Sequence, residues 1–189
     1  QLLRRLPRPK GLHHRRAPSR VGHSSMKTLL LMRHAKSDWD ADYDSDHDRP
    51  LNDRGLKSAR LMGRVLADEG LVPDLIISST ALRARSTAEL AAETGNWDSE
   101  LVLDRSLYDE GPKGVLERGA SAPSVNRLML VGHQPTWSML VSAVTGERAE
   151  MKTATVAVIE LDIESWADLP GASGTLIRVL GPRSHEREL

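Results

Sequence analysis

The chain has 189 residues, 39% of them hydrophobic, which suits one globular domain with a substantial core better than two. It contains no cysteine, which excludes disulfides, thiolate metal sites and cysteine nucleophiles. Its formal net charge is zero, and no apolar run approaches the roughly 20 residues of a membrane helix, so the composition predicts a soluble protein.

Charge is distributed unevenly along the chain. Residues 1–25 hold seven of the 26 basic residues and no acid, which leaves 19 basic residues against all 26 acids and a charge of −7 on the remainder. This acidic body argues against nucleic acid as a partner. We predict that residues 1–25 are a disordered basic leader: a transit peptide, a cloning scar, or sequence translated ahead of a start at Met26. The protein is then expected in the cytoplasm, or in an organelle if the leader is a transit peptide.

From Met26 onward, short apolar runs alternate with stretches of helical periodicity. A buried strand is predicted over 27–32, followed by a helix over 53–69 with Asn52 as its N-cap and Gly70 as its stop. Further strands are predicted over 75–78, 101–104, 127–131, 153–162 and 175–180, and further helices over 81–94 and 135–145. Strands separated by helices indicate a three-layer α/β/α sandwich with a mostly parallel sheet, here spanning 26–183 before a frayed tail at 184–189.

Polar side chains follow three of the predicted strands. Arg33 and His34 follow the first strand, Ser78 and Ser79 stand at the end of the second with Arg83 after them, and His133 ends the run LMLVGH. Ligands of open α/β sheets bind beyond the carboxyl ends of the strands, so these side chains are expected to meet at one rim. No role is assigned to the five histidines in the tails or in a polar loop: His13, His14, His23, His47 and His185.

The loop over 38–48 carries an aspartate at every second position, which raises the possibility of a calcium site. A calcium-binding EF-hand loop that began at Asp40 would need glycine at position 45 and glutamate at 51, where Ser45 and Leu51 stand. The pattern therefore favours a solvated acidic loop beside the site, which could select a basic or protein partner.

Three blocks of this sequence resemble the histidine phosphatase, or phosphoglycerate-mutase-like, superfamily. They are RHA at 33–35, STALRARSTA at 79–88 and VGH at 131–133. The SixA-type phosphohistidine phosphatases are the most similar branch, through RHAKSDW, DRPLNDRG at 48–55, SLYDEG at 106–111 and VGHQP. The resemblance covers about 26–183 and implies a phosphoglycerate-mutase-like fold.

The resemblance also implies roles for the rim residues. His34 would be the nucleophile and would carry the phosphoryl group as a phosphohistidine. Arg33 and Arg83 would hold the phosphoryl oxygens, and His133 would add a contact, for which an imidazolium would be suited. Ser37 is a further candidate for substrate binding. With so much fixed positive charge, neither a metal nor another cofactor is required.

For two of the implied roles, the sequence offers more than one candidate residue. Arg83 is preferred over Arg85 because it shares a helical face with Thr87, four residues along. Family members that cleave phosphate esters use a carboxylate just after the third strand, and the matching position here is Asp109, with Glu110 as its neighbour.

Two residues depart from the family pattern. Ala35 replaces the usual glycine, and an alanine there requires an ordinary backbone conformation. Asp40 stands where many mutases carry an asparagine that contacts phosphate, and its carboxylate would repel phosphate unless it turns outward. The second departure argues against mutase activity.

We therefore predict a phosphatase that acts through a phosphohistidine intermediate, with phosphohistidine on a protein as its substrate. The connections between the motifs are too short to form a lid over a small molecule, which favours a protein substrate. The alternatives are a small-molecule phosphomonoesterase or mutase of the same superfamily, and a phosphate-binding module without turnover. Expected partners are a phosphorylated protein or a small phosphorylated substrate, with no nucleic acid and no membrane.

Overall fold

A computed structural model describes residues 26–185 of the protein. The predicted leader, 1–25, and positions 186–189 of the predicted tail lie outside the described residues. The first two positions of that tail continue the fold, since Pro182–Ser184 is a 3-10 turn and His185 donates a hydrogen bond to the Gly181 carbonyl at 3.1 Å. No helix within the described range is long and apolar enough to cross a membrane.

Six strands form one mixed sheet in the order β3-β2-β4-β1-β5-β6. Their bounds are β1 Met26–Arg33, β2 Leu75–Ser78, β3 Glu100–Leu103, β4 Arg127–Gly132, β5 Val156–Asp162 and β6 Gly174–Leu180. The first four strands are parallel, whereas β5 runs antiparallel to β1 and β6 antiparallel to β5. The predicted α/β/α sandwich is confirmed, with two antiparallel strands at one edge.

Helices cover both faces of the sheet. Their bounds are α1 Asp53–Asp68, α2 Leu82–Thr94, α3 Ser106–Asp109, α4 Pro112–Ala120 and α5 Thr136–Thr145. Helices α1 and α2 pack on one face, and α4 and α5 on the other. The sequence reading missed α3 and α4. Helix α3 has only four residues, and the nine residues of α4 include two glycines, which lower the helical propensity.

Strand β1 shows why the sheet lies at the centre. Leu30 and Met32 pack against α1 and α2, whereas Leu29 and Leu31 pack against the opposite helices. All four are fully buried, and such burial stabilises a fold by about 1.5–3 kcal/mol for each large apolar side chain. A strand that is apolar on both faces has to lie between two helical layers.

Helix α1 begins and ends as the sequence predicts. The Asn52 side chain accepts a hydrogen bond from the Gly55 amide at 2.8 Å and caps the first turn. The chain leaves the helix through Gly70, whose φ of 68° is readily available to glycine.

Close packing between α1 and α2 sets the position of α2. A Cβ on Gly63 would lie 2.2 Å from the Ala91 carbonyl oxygen, so only glycine permits this approach. The Trp97 indole N–H donates to the Gly63 carbonyl at 3.0 Å and joins the end of α2 to the middle of α1. This packing matters for the site because Arg83 lies in the first turn of α2.

Candidate active site

The three strand exits meet because β2, β4 and β1 are neighbours in the sheet. The His34 amide donates to the Gly132 carbonyl at 3.0 Å, and the Ser79 amide donates to the Val131 carbonyl at 2.9 Å. These bonds place His34 and His133 side by side, with 5.2 Å between their ring centroids. The structure therefore brings both predicted histidines together at one rim.

His34 has the properties of a neutral nucleophile. Its Nδ1–H donates to the Ala35 carbonyl at 2.6 Å, so the lone pair of the ring resides on Nε2. Burial, together with the positive charges of Arg83, Arg33 and Arg49, lowers the pKa of His34 from 6.5 to about 4. The ring is consequently uncharged at neutral pH, with one nitrogen available to attack an electrophile.

His133 is also neutral in the free protein, so the expectation of an imidazolium there is wrong for this state. Burial, followed by the proximity of His34 and Arg83, lowers the pKa of His133 to about 3. Its Nε2 lies 2.8 Å from the Ser79 hydroxyl, whereas its Nδ1 is buried without a hydrogen-bond partner. At neutral pH, His133 can offer a phosphoryl group a hydrogen bond but not a charge.

Thr87 joins the first strand exit to helix α2. Its hydroxyl accepts from the Ala35 amide at 2.9 Å and donates to the Arg83 carbonyl at 2.6 Å. The Ala35 amide is therefore already occupied, and Ala35 is not among the residues with positive φ. Alanine therefore fits position 35 without backbone strain, although the family pattern has glycine there.

The two predicted arginines are held by different segments of the chain. Arg33 Nη1 donates to the Met151 carbonyl at 3.0 Å. The buried side chain of Arg83 donates to Asp46 twice, through Nη1 to the carbonyl oxygen at 2.7 Å and through Nη2 to the carboxylate at 3.0 Å. Both arginines lower the pKa of His34, as does a third arginine, Arg49.

Arg49 was not among the site residues predicted from the sequence. Its side chain is only 5% exposed, and its guanidinium carbon lies 3.6 Å from the centroid of the exposed Trp39 ring. Arg49 donates hydrogen bonds to the Ser37 hydroxyl and to the Asp46 carboxylate. Ser37 therefore holds this arginine in the structure. A single basic residue between the acidic loop and a Pro-Leu pair was the signal that could have identified it.

Asp46 was expected in a solvated loop but is anchored in the site. Its carboxylate accepts hydrogen bonds from Arg83, Arg49 and the Tyr108 hydroxyl, each at 3.0 Å. Burial would raise the pKa of Asp46, but bonds from Arg49 and Tyr108 and the charge of Arg83 lower it to about 2. Asp46 is therefore ionised throughout the physiological range.

His47, for which no role was predicted, also contacts residues at the rim. Its Nε2 lies 2.7 Å from the Thr80 hydroxyl, and its ring packs edge-on against Tyr108 with 4.9 Å between centroids. The 3-10 turn Asp46–Asp48 thus brings both Asp46 and His47 to the rim. The regular spacing of aspartates along the loop did not predict that Asp46 and His47 would lie at the rim.

Four other candidate residues point elsewhere. Asp109 accepts a hydrogen bond from Arg105 at 2.9 Å and is half exposed, and Glu110 is exposed. Arg85 pairs with Glu89 at 2.7 Å on the surface, and Asp40 is exposed. Among the described residues, Asp46 is the carboxylate that contacts Arg83 and Arg49.

The rim is rich in buried polar atoms that the protein itself leaves without a partner. Within residues 26–185, six buried side-chain atoms make no hydrogen bond, and four of them belong to this site: Arg33 Nε, Arg49 Nε, Arg83 Nε and His133 Nδ1. Buried donors normally find an acceptor, and guanidinium groups match phosphate oxygens well. Three arginines around a neutral histidine therefore suit a phosphoryl group. No group of three or more His, Asp or Glu in the described part of the chain could hold a metal ion.

Comparison with known protein sequences points to one family. The sequence profile of the histidine phosphatase superfamily (branch 1) matches residues 29–109. An uncharacterized chloroplastic protein of Arabidopsis thaliana is 30% identical over 80% of this chain and 74% of its own length. An uncharacterized protein of Mycobacterium tuberculosis is 35% identical over 80% of this chain and its entire length. A 2,3-bisphosphoglycerate-dependent phosphoglycerate mutase of Mycobacterium leprae is 40% identical over 37% of this chain and 29% of its own.

Solved structures give the same result. A protein of Nakamurella multipartitia, provisionally named phosphohistidine phosphatase SixA, matches with a TM-score of 0.75 and 27% identity over 83% of this chain and 96% of its own. The protein histidine phosphatase SixA complexed with tungstate matches with a TM-score of 0.69 and 25% identity over 83% of this chain and 98% of its own.

Proposed function

Because this chain belongs to the SixA-type branch of the histidine phosphatase superfamily and is therefore a phosphatase, we propose that its substrate is phosphohistidine on a protein. The observation that carries the mechanism is the state of His34. Its Nδ1–H is bound to the Ala35 carbonyl, and its pKa is lowered to about 4, so Nε2 is an available nucleophile at neutral pH.

The reaction proceeds in two displacements. His34 Nε2 attacks phosphorus and forms an N–P bond, while the P–N bond to the substrate imidazole breaks. The leaving ring keeps the electron pair of that bond and takes a proton from water. Water then attacks the phosphorylated His34, which releases inorganic phosphate and restores the free ring. In both steps the transition state spreads negative charge over the phosphoryl oxygens, and Arg33, Arg83 and Arg49 supply compensating charge.

The state of the nearby carboxylates favours phosphohistidine over a phosphate ester. An alkoxide leaving group needs a proton donor, which a carboxylic acid of raised pKa supplies in many enzymes. Here the pKa of Asp46 is lowered to about 2, and Asp109 is paired with Arg105 at the surface. The P–N bond to imidazole is more labile and needs less proton donation, so a site in which Asp46 stays ionised and is a poor proton donor can still cleave it.

Trapping the intermediate tests this proposal. Brief reaction with phosphorus-labelled phosphohistidine should leave acid-labile, base-stable label on His34, and His34→Ala should lose both label and turnover while its melting temperature stays close to that of the parent. Label on another residue would contradict the mechanism. Binding of phosphohistidine with neither label nor turnover would indicate a phosphate-binding module. Because the arginines supply the positive charge, activity should survive EDTA.

A small-molecule phosphatase or mutase is the second candidate, favoured by the partial similarity to phosphoglycerate mutase. A panel of protein phosphohistidine, free phosphohistidine, 3-phosphoglycerate and sugar phosphates separates the two functions. We expect the highest kcat/KM on the protein substrate. Faster hydrolysis of the sugar phosphates would establish the second candidate instead.

The cellular location belongs to the same proposal. The Arabidopsis relative is named as chloroplastic, which supports an organelle for this chain too, with residues 1–25 as the targeting segment. Fusion of residues 1–25 to a fluorescent protein tests this alternative against a cytoplasmic location.

A further inference from the structure

A cavity of about 600 Å³ adjoins the candidate active site and shares Arg33 with it. Its walls come from the exit of β1, the first turns of α1, the segment before β5 and the segment after β6. His34, His133 and Arg83 do not line it. An occupant of this cavity would therefore lie beside the substrate phosphoryl group without displacing it.

The cavity concentrates positive charge. Its cationic side chains are Arg33, Lys36, Arg54, Lys152 and Arg183, and we call the cavity the basic pocket. The one carboxylate in its lining, Glu150, lies 3.6 Å from Lys152. This local excess of positive charge stands in a body that carries a formal charge of −7.

Among the described residues, four of the five cations form no ion pair: Arg33 and three exposed ones. Lys36, Arg54 and Arg183 form no ion pair with any carboxylate in the described part of the chain. All three are exposed, as is Lys152. Exposed charges of one sign act over about one Debye length, roughly 8–10 Å, and steer a partner of opposite sign.

The rest of the lining favours an acidic surface over a small organic molecule. The polar neighbours are hydroxyls, those of Ser58, Thr153, Thr155 and Ser184, and no aromatic side chain lines the pocket. Pockets for small molecules are usually lined by apolar and aromatic groups that cover most of the ligand. Flexible cations around an open polar cavity suit carboxylates presented by a macromolecule.

Building on the proposed function, we propose that the basic pocket binds acidic side chains that flank phosphohistidine on the partner protein. The shared Arg33 places these carboxylates next to the phosphoryl group under attack by His34. The interaction raises the association rate and lowers KM, whereas the chemical step depends on the arginines and histidines of the active site.

Two synthetic peptides test the proposal. Each carries one histidine phosphorylated with phosphoramidate, flanked in one peptide by four glutamates and in the other by four glutamines. The parent protein should prefer the acidic peptide by about 10-fold in kcat/KM at low salt, and the preference should disappear at high salt, as for electrostatic association. Arg54→Glu/Arg183→Glu should abolish the preference without changing turnover of free phosphohistidine.

Arg60→Glu is the matched control. Arg60 is an exposed arginine on the same helix as Arg54, but it does not line the pocket. This variant should keep the preference, and both variants should keep the melting temperature of the parent.

Each remaining outcome overturns a specific statement. Equal rates on the two peptides would refute the basic pocket while leaving the proposed function intact. Hydrolysis of sugar phosphates but of neither peptide would refute the proposed function itself. An equal loss on free phosphohistidine in Arg54→Glu/Arg183→Glu would make the pocket part of the catalytic structure. Inhibition by tripolyphosphate that this variant abolishes, with equal peptide rates, would assign the pocket to a small polyanion.

Discussion

Replacing Arg83 with alanine should lower kcat/KM on phosphohistidine by at least about 30-fold, which corresponds to roughly 2 kcal/mol of transition-state stabilisation. The side chain of Arg83 is almost fully buried, and its charge reaches both His34 and His133 strongly enough to lower the pKa of each ring. A charge that acts on both rings is expected to act on a phosphoryl group bound beside them as well. A preorganised contact of this kind contributes about 2.7–4 kcal/mol in other enzymes.

Arg85 provides the matched control, two residues along the same helix. Its side chain is half exposed and pairs with Glu89, so Arg85→Ala should leave kcat/KM nearly unchanged. Arg83→Lys should fall between the two, because lysine keeps the charge but not the planar fork.

The pH profile gives a second readout that a purely structural role of Arg83 would not affect. Burial is the main cause of the low pKa of His34, and the Arg83 charge adds to it, so removal of Arg83 should raise this pKa above about 4 by part of the difference from 6.5. The acid limb of kcat/KM should then move to higher pH in Arg83→Ala and stay in place in Arg85→Ala and Arg83→Lys. Steady-state kinetics from pH 4 to pH 8 measure both effects. Equal losses in the two alanine variants, or an unmoved acid limb in Arg83→Ala, would refute the reasoning.

Three further predictions concern the proton donor, acid stability and helix packing. Asp109→Asn should reduce phosphohistidine turnover only mildly, since its carboxylate pairs with Arg105, and complete loss would make Asp109 the general acid. The pKa values of His34 and His133 lie below 6.5 in the fold, so the unfolded chain takes up protons first as the pH falls. Urea unfolding should therefore show a free energy that decreases below about pH 6.5, by up to about 1.4 kcal/mol per pH unit for each ring, and His34→Ala should flatten this slope. Gly63→Ala should cost about 1–3 kcal/mol in thermal melts by overpacking against α2, whereas Gly111→Ala, which meets no atom within 4 Å, should cost much less.

Local sequence patterns were sufficient to predict most of the strands and helices of this protein. Apolar runs of strand length, a capping asparagine at position 52 and a stop at Gly70 are properties of neighbouring residues, and the structure has all of them. The meeting of the strand exits also followed from the sequence, because polar residues after parallel strands share one edge of a sheet. Arg33, His34 and His133 reached that edge as expected.

The protonation states and hydrogen-bond partners of the site depend on contacts between distant parts of the chain. Asp46 meets Arg83, 37 positions away, and Tyr108, 62 positions away, so no local pattern could place it there. The neutral state of His133 has the same origin, because its pKa is set by burial and by charges that other elements bring to it. Sequence pattern therefore determined that Arg33, His34 and His133 reach the rim, but not that Asp46 and Arg49 join them. Tertiary packing decided their charge and partners, because desolvation and Coulomb interactions depend on distance in space and not on distance along the chain.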